Sequence, residues 1–287
     1  MDYKTILVLC DSSKAAASRI ELAHYLAERH GALLSGLHIC SRFEPPMLYG
    51  TGFAKDELYR PYEALIRAHQ ERVKSELSMS SDTFCRMTKR PVVKTDWQVT
   101  RGVATLEVLQ HARCADLVIL GQTCPDLPVD GVPADLPEAV ALWSGRPTLI
   151  VPYAGAPTTP IETAIVCWNA SREAARAAAD ALPILRQARK VVVLTVDAHA
   201  ASGPGDRDPG DDAASWLARH GVKAMAERKE VTADGDVGRK ILSCAADIGA
   251  DLIVMGAYGR SRMRELALGG VTRTMFRFMT MPVLMAH

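Results

Sequence analysis

The chain has 287 residues, of which 48% are hydrophobic, and its formal net charge is +1 at pH 7. This composition is typical of a folded protein with one large domain or two ordinary ones. The near-neutral charge gives no electrostatic footprint for nucleic acid or a membrane surface. The sequence also has no apolar run close to the ~20 residues that cross a bilayer. It therefore predicts neither a nucleic-acid nor a membrane partner.

Seven cysteines are present, and none belongs to a C-x-x-C pair. Cys10, Cys167 and Cys244 lie in apolar contexts that are typical of small buried hydrophobic residues. The pattern favours neither a disulfide framework nor a zinc site. We therefore expect a reducing, cytoplasmic setting and no metal site.

Strands and helices alternate in the predicted first half. An acidic residue precedes the apolar run at 5–10 and no small-residue cleavage site follows it, so the run predicts a first strand rather than a signal peptide. A helix over 15–30 and a strand over 32–39 complete a parallel unit with a right-handed crossover. The later predicted elements are a helix over 57–77 interrupted early at Pro61, a strand over 97–99, a helix over 105–112, and strands over 116–120 and 149–151.

The second half repeats the first. Residues 115–121 read ADLVILG and residues 250–256 read ADLIVMG, and the front ends and closing strands also correspond. The chain is thus a tandem duplication of one α/β unit, with a linker, YAGAPTTP, at 153–160. The predicted helices of the second half cover 172–187, 213–219 and 237–247, and a fourth begins near Gly270. Its predicted strands cover 191–196, 222–231, 252–255 and 282–286.

The last stretch of the chain carries the candidate binding motif. Its strands are continuous apolar runs, as a parallel sheet covered on both faces requires. Four glycines follow the pattern G-x-x-G, nine residues, then G-G: Gly256, Gly259, Gly269 and Gly270. Glycine lets backbone N–H groups approach a ligand closely, and the last pair opens a helix whose start favours an anion. The motif indicates a phosphate site; the alternative is that the glycines only turn the chain.

This stretch resembles the universal stress protein family, whose nucleotide motif is G-x-x-G-nine-G-Ser/Thr. The strands at 250–256 and 282–285 also resemble that family's fourth and closing strands. Gly270 stands where the family has the Ser/Thr hydroxyl, while Thr272 matches a family hydroxyl position. Asn169 replaces the family's Asp at the end of the first strand, and Val196 matches the position whose backbone meets the adenine. The resemblance implies an ATP or ADP site, with magnesium left open, formed by Asn169, Val196, Gly256, Gly259, Gly269, Gly270 and Thr272.

The resemblance covers nearly the whole chain twice. It implies two tandem doubly wound α/β domains, 1–153 and 160–287, each a five-stranded parallel sheet with helices on both faces. Ligands bind such sheets at the carboxyl ends of the strands, where the strand order reverses. In this family the fifth strands of two domains pair edge to edge, so we expect an intramolecular pseudo-dimer through 149–151 and 283–285. Whether the chain also forms a homodimer is left open.

The first domain has lost the motif. Its loop, 121–137, reads GQTCPDLPVDGVPADLP, with Cys124, Ala134 and Asp135 at the motif positions. Its prolines cannot donate backbone hydrogen bonds, and its three aspartates would repel a phosphate. We therefore expect no triphosphate in the first crevice. Asp11 matches the family's Asp at the end of strand one, but the pattern favours a helix-capping role for it.

Recognised catalytic motifs are missing from the sequence, and no catalytic residue is assigned. We expect a stress-response ligand-binding protein that binds an adenine nucleotide in the second domain without substantial turnover. One alternative is a slow ATP hydrolase or phosphotransfer enzyme. Another is a protein-interaction module with decayed nucleotide sites, which the residues at 169 and 270 leave open. Its protein partners are not identified by the sequence.

Overall fold

The computed structural model describes residues 2–43, 55–89, 92–126, 129, 131–155, 160–197, 209–231, 235–257 and 270–287. Strands and helices alternate along both halves, as the sequence predicts. The strands are β1 (Thr5–Leu9), β2 (Leu33–Cys40), β3 (Thr95–Arg101), β4 (Leu117–Gly121), β5 (Thr148–Val151), β6 (Thr163–Cys167), β7 (Lys190–Asp197), β8 (Ala224–Glu230), β9 (Leu252–Gly256) and β10 (Val283–Ala286). The helices are α1 (Ala16–His30), α2 (Lys55–Met87), α3 (Ala104–Ala112), α4 (Leu136–Trp143), α5 (Arg172–Asp180), α6 (Leu182–Leu185), α7 (Pro209–Arg219), α8 (Val237–Asp247) and α9 (Gly270–Phe278).

The ten strands of the described residues form one sheet in the order β3-β2-β1-β4-β5-β10-β9-β6-β7-β8. Neighbouring strands within each half are parallel. The halves meet where β5 and β10 pair antiparallel, with Leu149 opposite Leu284. The predicted pairing is therefore confirmed, and the two five-stranded parallel sheets are joined into one. The strand order reads the same from either edge, as a pseudo-two-fold axis at the β5–β10 pair requires.

Helices cover both faces of the sheet. On one face, α1, α2, α5 and α7 bury their apolar residues against alternate strand positions such as Ile6 and Val8. On the other face, α3 and α4 cover Leu7 and Leu9 in the first half, and α8 and α9 cover the second half. Because both faces are covered, the central strands are buried almost without interruption, which explains their continuous apolar sequences. Within the described residues, no helix is long and apolar enough to cross a membrane.

A carboxylate clip occurs once in each half. Asp116 Oδ2 accepts the backbone N–H groups of Lys4 and Thr5 at 2.7 and 3.0 Å. Asp251 Oδ2 accepts those of Glu162 and Thr163 at 2.9 and 2.8 Å. Each aspartate, at the entry to the fourth strand of its half, thereby fixes the start of the neighbouring first strand. This contact gives a physical reason for the repeated Ala-Asp-Leu sequence.

Prolines explain two differences between predicted and observed helices. Helix α4 has a proline in its first turn, where a missing N–H group leaves no bond unmade, so the proline-rich loop leads into a helix that the sequence did not reveal. Pro183 likewise lies in the first turn of α6, so the predicted helix over 172–187 is two helices. Helix α2 runs through Pro61 and continues to Met87, where Phe84 packs into the core.

Candidate functional site

The carboxyl ends of β6, β7 and β9 lie side by side in the second half. The pairing registers place Cys167 beside Leu194 and Val166 beside Val254. Asn169, which follows β6, Val196, near the end of β7, and Gly256, which ends β9, therefore share one edge of the sheet. Helix α9 returns toward the next parallel strand, so its first residue, Gly270, lies on the same edge. Gly259 and Gly269 lie outside the described residues.

Asn169 shapes the turn that leads from β6 into α5. Its Oδ1 accepts the backbone N–H of Ser171 at 3.2 Å, and Ala170 between them has a φ of 56°. Ser171 then caps α5, because its Oγ accepts the N–H of Ala174 at 3.1 Å. The exposed Asn169 side chain can therefore accept a hydrogen bond, as an aspartate at the end of the first strand would, but it carries no charge.

Gly256 is a glycine because a helix packs directly on it. A Cβ atom at this position would lie 2.7 Å from the backbone nitrogen of Ala174 and from the carbonyl carbon of Glu173. Side chains do not tolerate such distances from backbone atoms, so the first turn of α5 itself requires the glycine. The structure therefore supplies a packing reason for a residue that the sequence assigned to a phosphate loop.

Glu173 places a carboxylate at this edge that the sequence analysis did not single out. It is 8% exposed and accepts a hydrogen bond from Arg172 Nε at 2.6 Å. Burial alone would raise the pKa of Glu173, but the contacts with Arg172, with its own backbone N–H and with the Ser171 side chain outweigh it and lower the pKa. The carboxylate is therefore charged at neutral pH. The sequence could have revealed this carboxylate, because Glu173 lies in the first turn of the helix that follows β6.

The first residue of helix α9 is exposed at this edge, and a later residue of the helix bonds to the start of α8. Gly270 is exposed, and a Cβ there would have no atom of the described residues within 4 Å. Thr272 is buried, 3% exposed. Two residues on, Thr274 Oγ1 donates to Asp236 Oδ2 at 2.8 Å, while the other carboxylate oxygen caps α8. Burial would raise the pKa of Asp236, but these hydrogen bonds lower it below its usual value.

The corresponding edge of the first half is occupied by an arginine. Arg19, on α1, is 2% exposed, and its Nη2 lies 2.7 Å from Asp11 Oδ2. Its Nε donates to the carbonyl of Leu9 at 2.9 Å. A Cβ atom at Gly121, the counterpart of Gly256, would lie 2.2 Å from Arg19 Nη1. The guanidinium therefore fills the space beneath the end of β4.

This ion pair corrects the capping role expected of Asp11. Helix α1 begins only at Ala16, and its N-cap residue, Ala15, forms no side-chain cap. Asp11 instead pairs with Arg19 and accepts the N–H of Ser13 at 2.9 Å. Burial would raise the pKa of Asp11, but Arg19 and Ser13 lower it below its usual range.

Little space remains at the first edge. The cavity that Asp11 and Arg19 line has a volume of about 50 Å³, whereas ligand pockets span about 300–1,000 Å³. Gln122 closes the edge further: its Nε2 donates to the carbonyl of Phe276 on α9 at 2.7 Å, and its Oε1 accepts the N–H of Tyr153 at 3.2 Å. A residue of the degenerate loop thereby ties the two halves together.

Among the residues that the structure describes, no group of three or more His, Cys, Asp or Glu side chains could hold a metal ion.

Comparisons with known proteins bear on the family of the second half and on the fold. Residues 160–287 match the universal stress protein family, so the second half of the chain is similar to members of that family. No curated protein matches the sequence.

Solved structures extend the likeness to the whole chain. A universal stress protein from Archaeoglobus fulgidus superposes with a TM-score of 0.67 at 16% identity, covering 98% of this chain and 95% of its own. A putative universal stress protein from Pseudomonas aeruginosa gives 0.56 at 12% identity, covering 99% and 93%. A functionally unknown protein from the same species gives 0.57 at 13% identity, covering 99% and 92%. At these identities the comparisons show the fold, and they show it over both halves.

Proposed function

We propose that the protein is a stress-response ligand-binding protein that takes an adenine nucleotide, ATP or ADP, in its second half without substantial turnover. The observation that carries this proposal is the asymmetry of the two edges. In the half that matches the family, Asn169, Val196, Gly256 and the start of α9 share one edge of the sheet. In the other half, the buried guanidinium of Arg19 fills the corresponding space.

The chemistry expected at the second edge is that of anion binding by backbone groups. The start of a helix presents unpaired N–H groups and a positive dipole end to a phosphate. Gly270 opens α9 without a side chain that would obstruct this approach. In the proposed arrangement Gly259, Gly269, Gly270 and Thr272 hold the phosphates and the backbone at Val196 meets the adenine.

One observation favours a second candidate, a protein-interaction module whose nucleotide site has decayed. The first turn of α5 packs on Gly256 and brings the charged carboxylate of Glu173 to this edge. A carboxylate repels phosphate oxygens where water is partly excluded. In this candidate the second half keeps the family fold but not its ligand.

Three measurements separate the candidates. Mass spectrometry of small molecules released from the purified, denatured protein should identify an adenine nucleotide. Isothermal titration of nucleotide-free protein with ATP and ADP should give saturable binding, and nucleotide turnover should stay at the level of a protein-free control. Protein that releases no nucleotide and binds none at millimolar concentration would favour the interaction module, whereas steady product formation would favour the enzyme.

A further inference from the structure

A second cleft lies in the first half, beyond the carboxyl ends of β2 and β3. It has two compartments of about 630 and 700 Å³, which share Ser41, Arg42, Phe43 and His69 as lining residues. Both volumes fall within the range of about 300–1,000 Å³ found for small-molecule sites. The small cavity beside Asp11 and Arg19 shares with this cleft only Val132, so the two are distinct.

The cleft exists because α2 is far longer than the strands it crosses. Its 33 residues span ~50 Å, whereas the eight residues of β2 span ~26 Å. Phe84 fixes the carboxyl-terminal part of α2 over the sheet, since its ring lies against Gly36 in the middle of β2. The helix runs antiparallel to the strands, so its earlier turns extend past their carboxyl ends and form one wall of the cleft.

Apolar side chains of these earlier turns line the cleft. Ile66, Val73 and Leu77 recur at helical spacing and are only half-buried, because the sheet does not reach them. Val103, at the start of α3, lines the opposite side and is 54% exposed. Apolar surface of this kind gains free energy when it is covered, at about 25 cal/mol per Å².

His69 fixes the wall to the sheet and divides the cleft. Its Nε2 lies 3.2 Å from the carbonyl oxygen of Ser41, and Arg72 Nη2 donates to its Nδ1 at 2.9 Å. The Phe43 ring packs against the His69 ring, with centroids 5.6 Å apart, so the pair forms a partition between the compartments.

Among the described side chains, those that carry a charge and line the cleft are all cationic. Arg42, Arg72, Lys74 and Arg101 line it, and within the described residues no aspartate or glutamate does. Arg42 reaches across the end of the sheet, with its Nη2 3.5 Å from the carbonyl of Arg101. A cleft that combines apolar walls with a cationic rim complements a molecule that has an apolar body and an anionic head.

We propose that this cleft binds a small anionic amphiphile, a medium-chain carboxylate being the simplest example. The alkyl chain lies along Ile66, Val73 and Leu77, and the carboxylate meets the cations at the rim, where arginine can bind it through two parallel hydrogen bonds. The site does not use the edge proposed for the nucleotide, and each of the two proposals can fail without the other.

The test uses the full chain and four probes of related structure. Isothermal titration should show saturable binding of decanoate. Decanol, which has the same chain without the charge, should bind at least about fivefold more weakly, since it loses the partly exposed charge contacts. Acetate and decyltrimethylammonium should not bind. Decanoate affinity should fall as ionic strength rises, because the rim charges are exposed.

Variants locate the site. Lys74→Gln and Arg101→Gln should each weaken decanoate about twofold to fivefold, and Val73→Trp should abolish binding by filling the cleft. Circular dichroism should show an unchanged fold for each, since these side chains lie outside the core, and ATP titrations should be unchanged. The matched control is Arg219→Gln, an exposed arginine at the end of α7 in the other half, which should bind decanoate as the wild type does. Equal affinity for decanoate and decanol, an equal loss in Arg219→Gln, or no saturable decanoate binding would each overturn the proposal.

Discussion

Replacing Arg19 with methionine should destabilise the first half strongly. The substitution keeps much of the side-chain volume but leaves Asp11, which is only 9% exposed, without its cation. Removing one partner of a buried ion pair costs about 3–5 kcal/mol, because the remaining charge stays buried and uncompensated. The carbonyl of Leu9 also loses its hydrogen bond from Arg19, which is included in that range. We therefore expect Arg19→Met to lower the free energy of unfolding by about 3–5 kcal/mol.

A double variant separates the effect of the unpaired charge on stability from the effect of altered packing. Arg19→Met combined with Asp11→Asn removes both charges, so most of the lost stability should return, and the coupling energy between the sites should be of order 2 kcal/mol or more. Urea unfolding at pH 7, followed by circular dichroism, measures each variant. Lys14→Met is the control, since Lys14 is exposed just before the same helix; its effect should stay within about 0.5 kcal/mol.

The pH dependence gives an independent check of the same contact. The pKa of Asp11 is lowered in the folded protein, so its contribution is present above the unfolded value of about 3.9. It is lost as the pH falls through the folded pKa. In Arg19→Met this acid-dependent loss of stability should shrink. A single variant within about 1 kcal/mol of the wild type, or a double variant no more stable than the single one, would refute the buried ion pair.

Two further substitutions test the packing of the second half. Gly256→Ala should destabilise the protein by about 1–3 kcal/mol, because its Cβ would meet backbone atoms of α5 at 2.7 Å. The control is Gly270→Ala, whose Cβ meets no atom of the described residues. Equal melting temperatures for the two variants would contradict this explanation of Gly256. Asp251→Ala should cost about 1–3 kcal/mol, because the partly buried start of β6 loses two hydrogen bonds. Urea midpoints measure that loss, and Asp247→Ala, exposed at the end of α8, is its control.

Most of the fold could be predicted because repeated local sequence patterns determine it. The repeated ADLVILG and ADLIVMG segments identify the duplication, and their aspartates form the same clip in both halves. Continuous apolar strands with helices between them predict a parallel sheet. The pairing of β5 with β10 followed from the family resemblance and is confirmed. The boundaries 1–153 and 160–287 stay a prediction, because residues 156–159 lie outside the described part of the chain.

The site was less accessible to sequence reasoning, because its decisive contacts are long-range. Arg19 lies on a helix, where arginines are usually exposed, and nothing local shows that it turns beneath Gly121. Gly256 fits a phosphate motif equally well whether a ligand or α5 approaches it. Of the seven predicted site residues, the structure brings Asn169, Val196, Gly256 and Gly270 to one edge and buries Thr272 in α9. The roles of all seven in nucleotide binding stay a prediction.

Calorimetric titration with ATP of the wild type, Gly270→Ser and Gly270→Ala tests the central claim most directly. Serine restores the hydroxyl of the family motif at a position where no atom of the described residues lies within 4 Å of a new Cβ, whereas alanine adds the same Cβ without the hydroxyl. One hydrogen bond to an anion is worth about 1.5–3 kcal/mol, so Gly270→Ser should bind ATP about tenfold to a hundredfold more tightly, and Gly270→Ala should not. All three proteins should bind one nucleotide per chain. Two nucleotides per chain, or a wild type that binds none at millimolar ATP together with a serine variant that binds no better, would contradict the account.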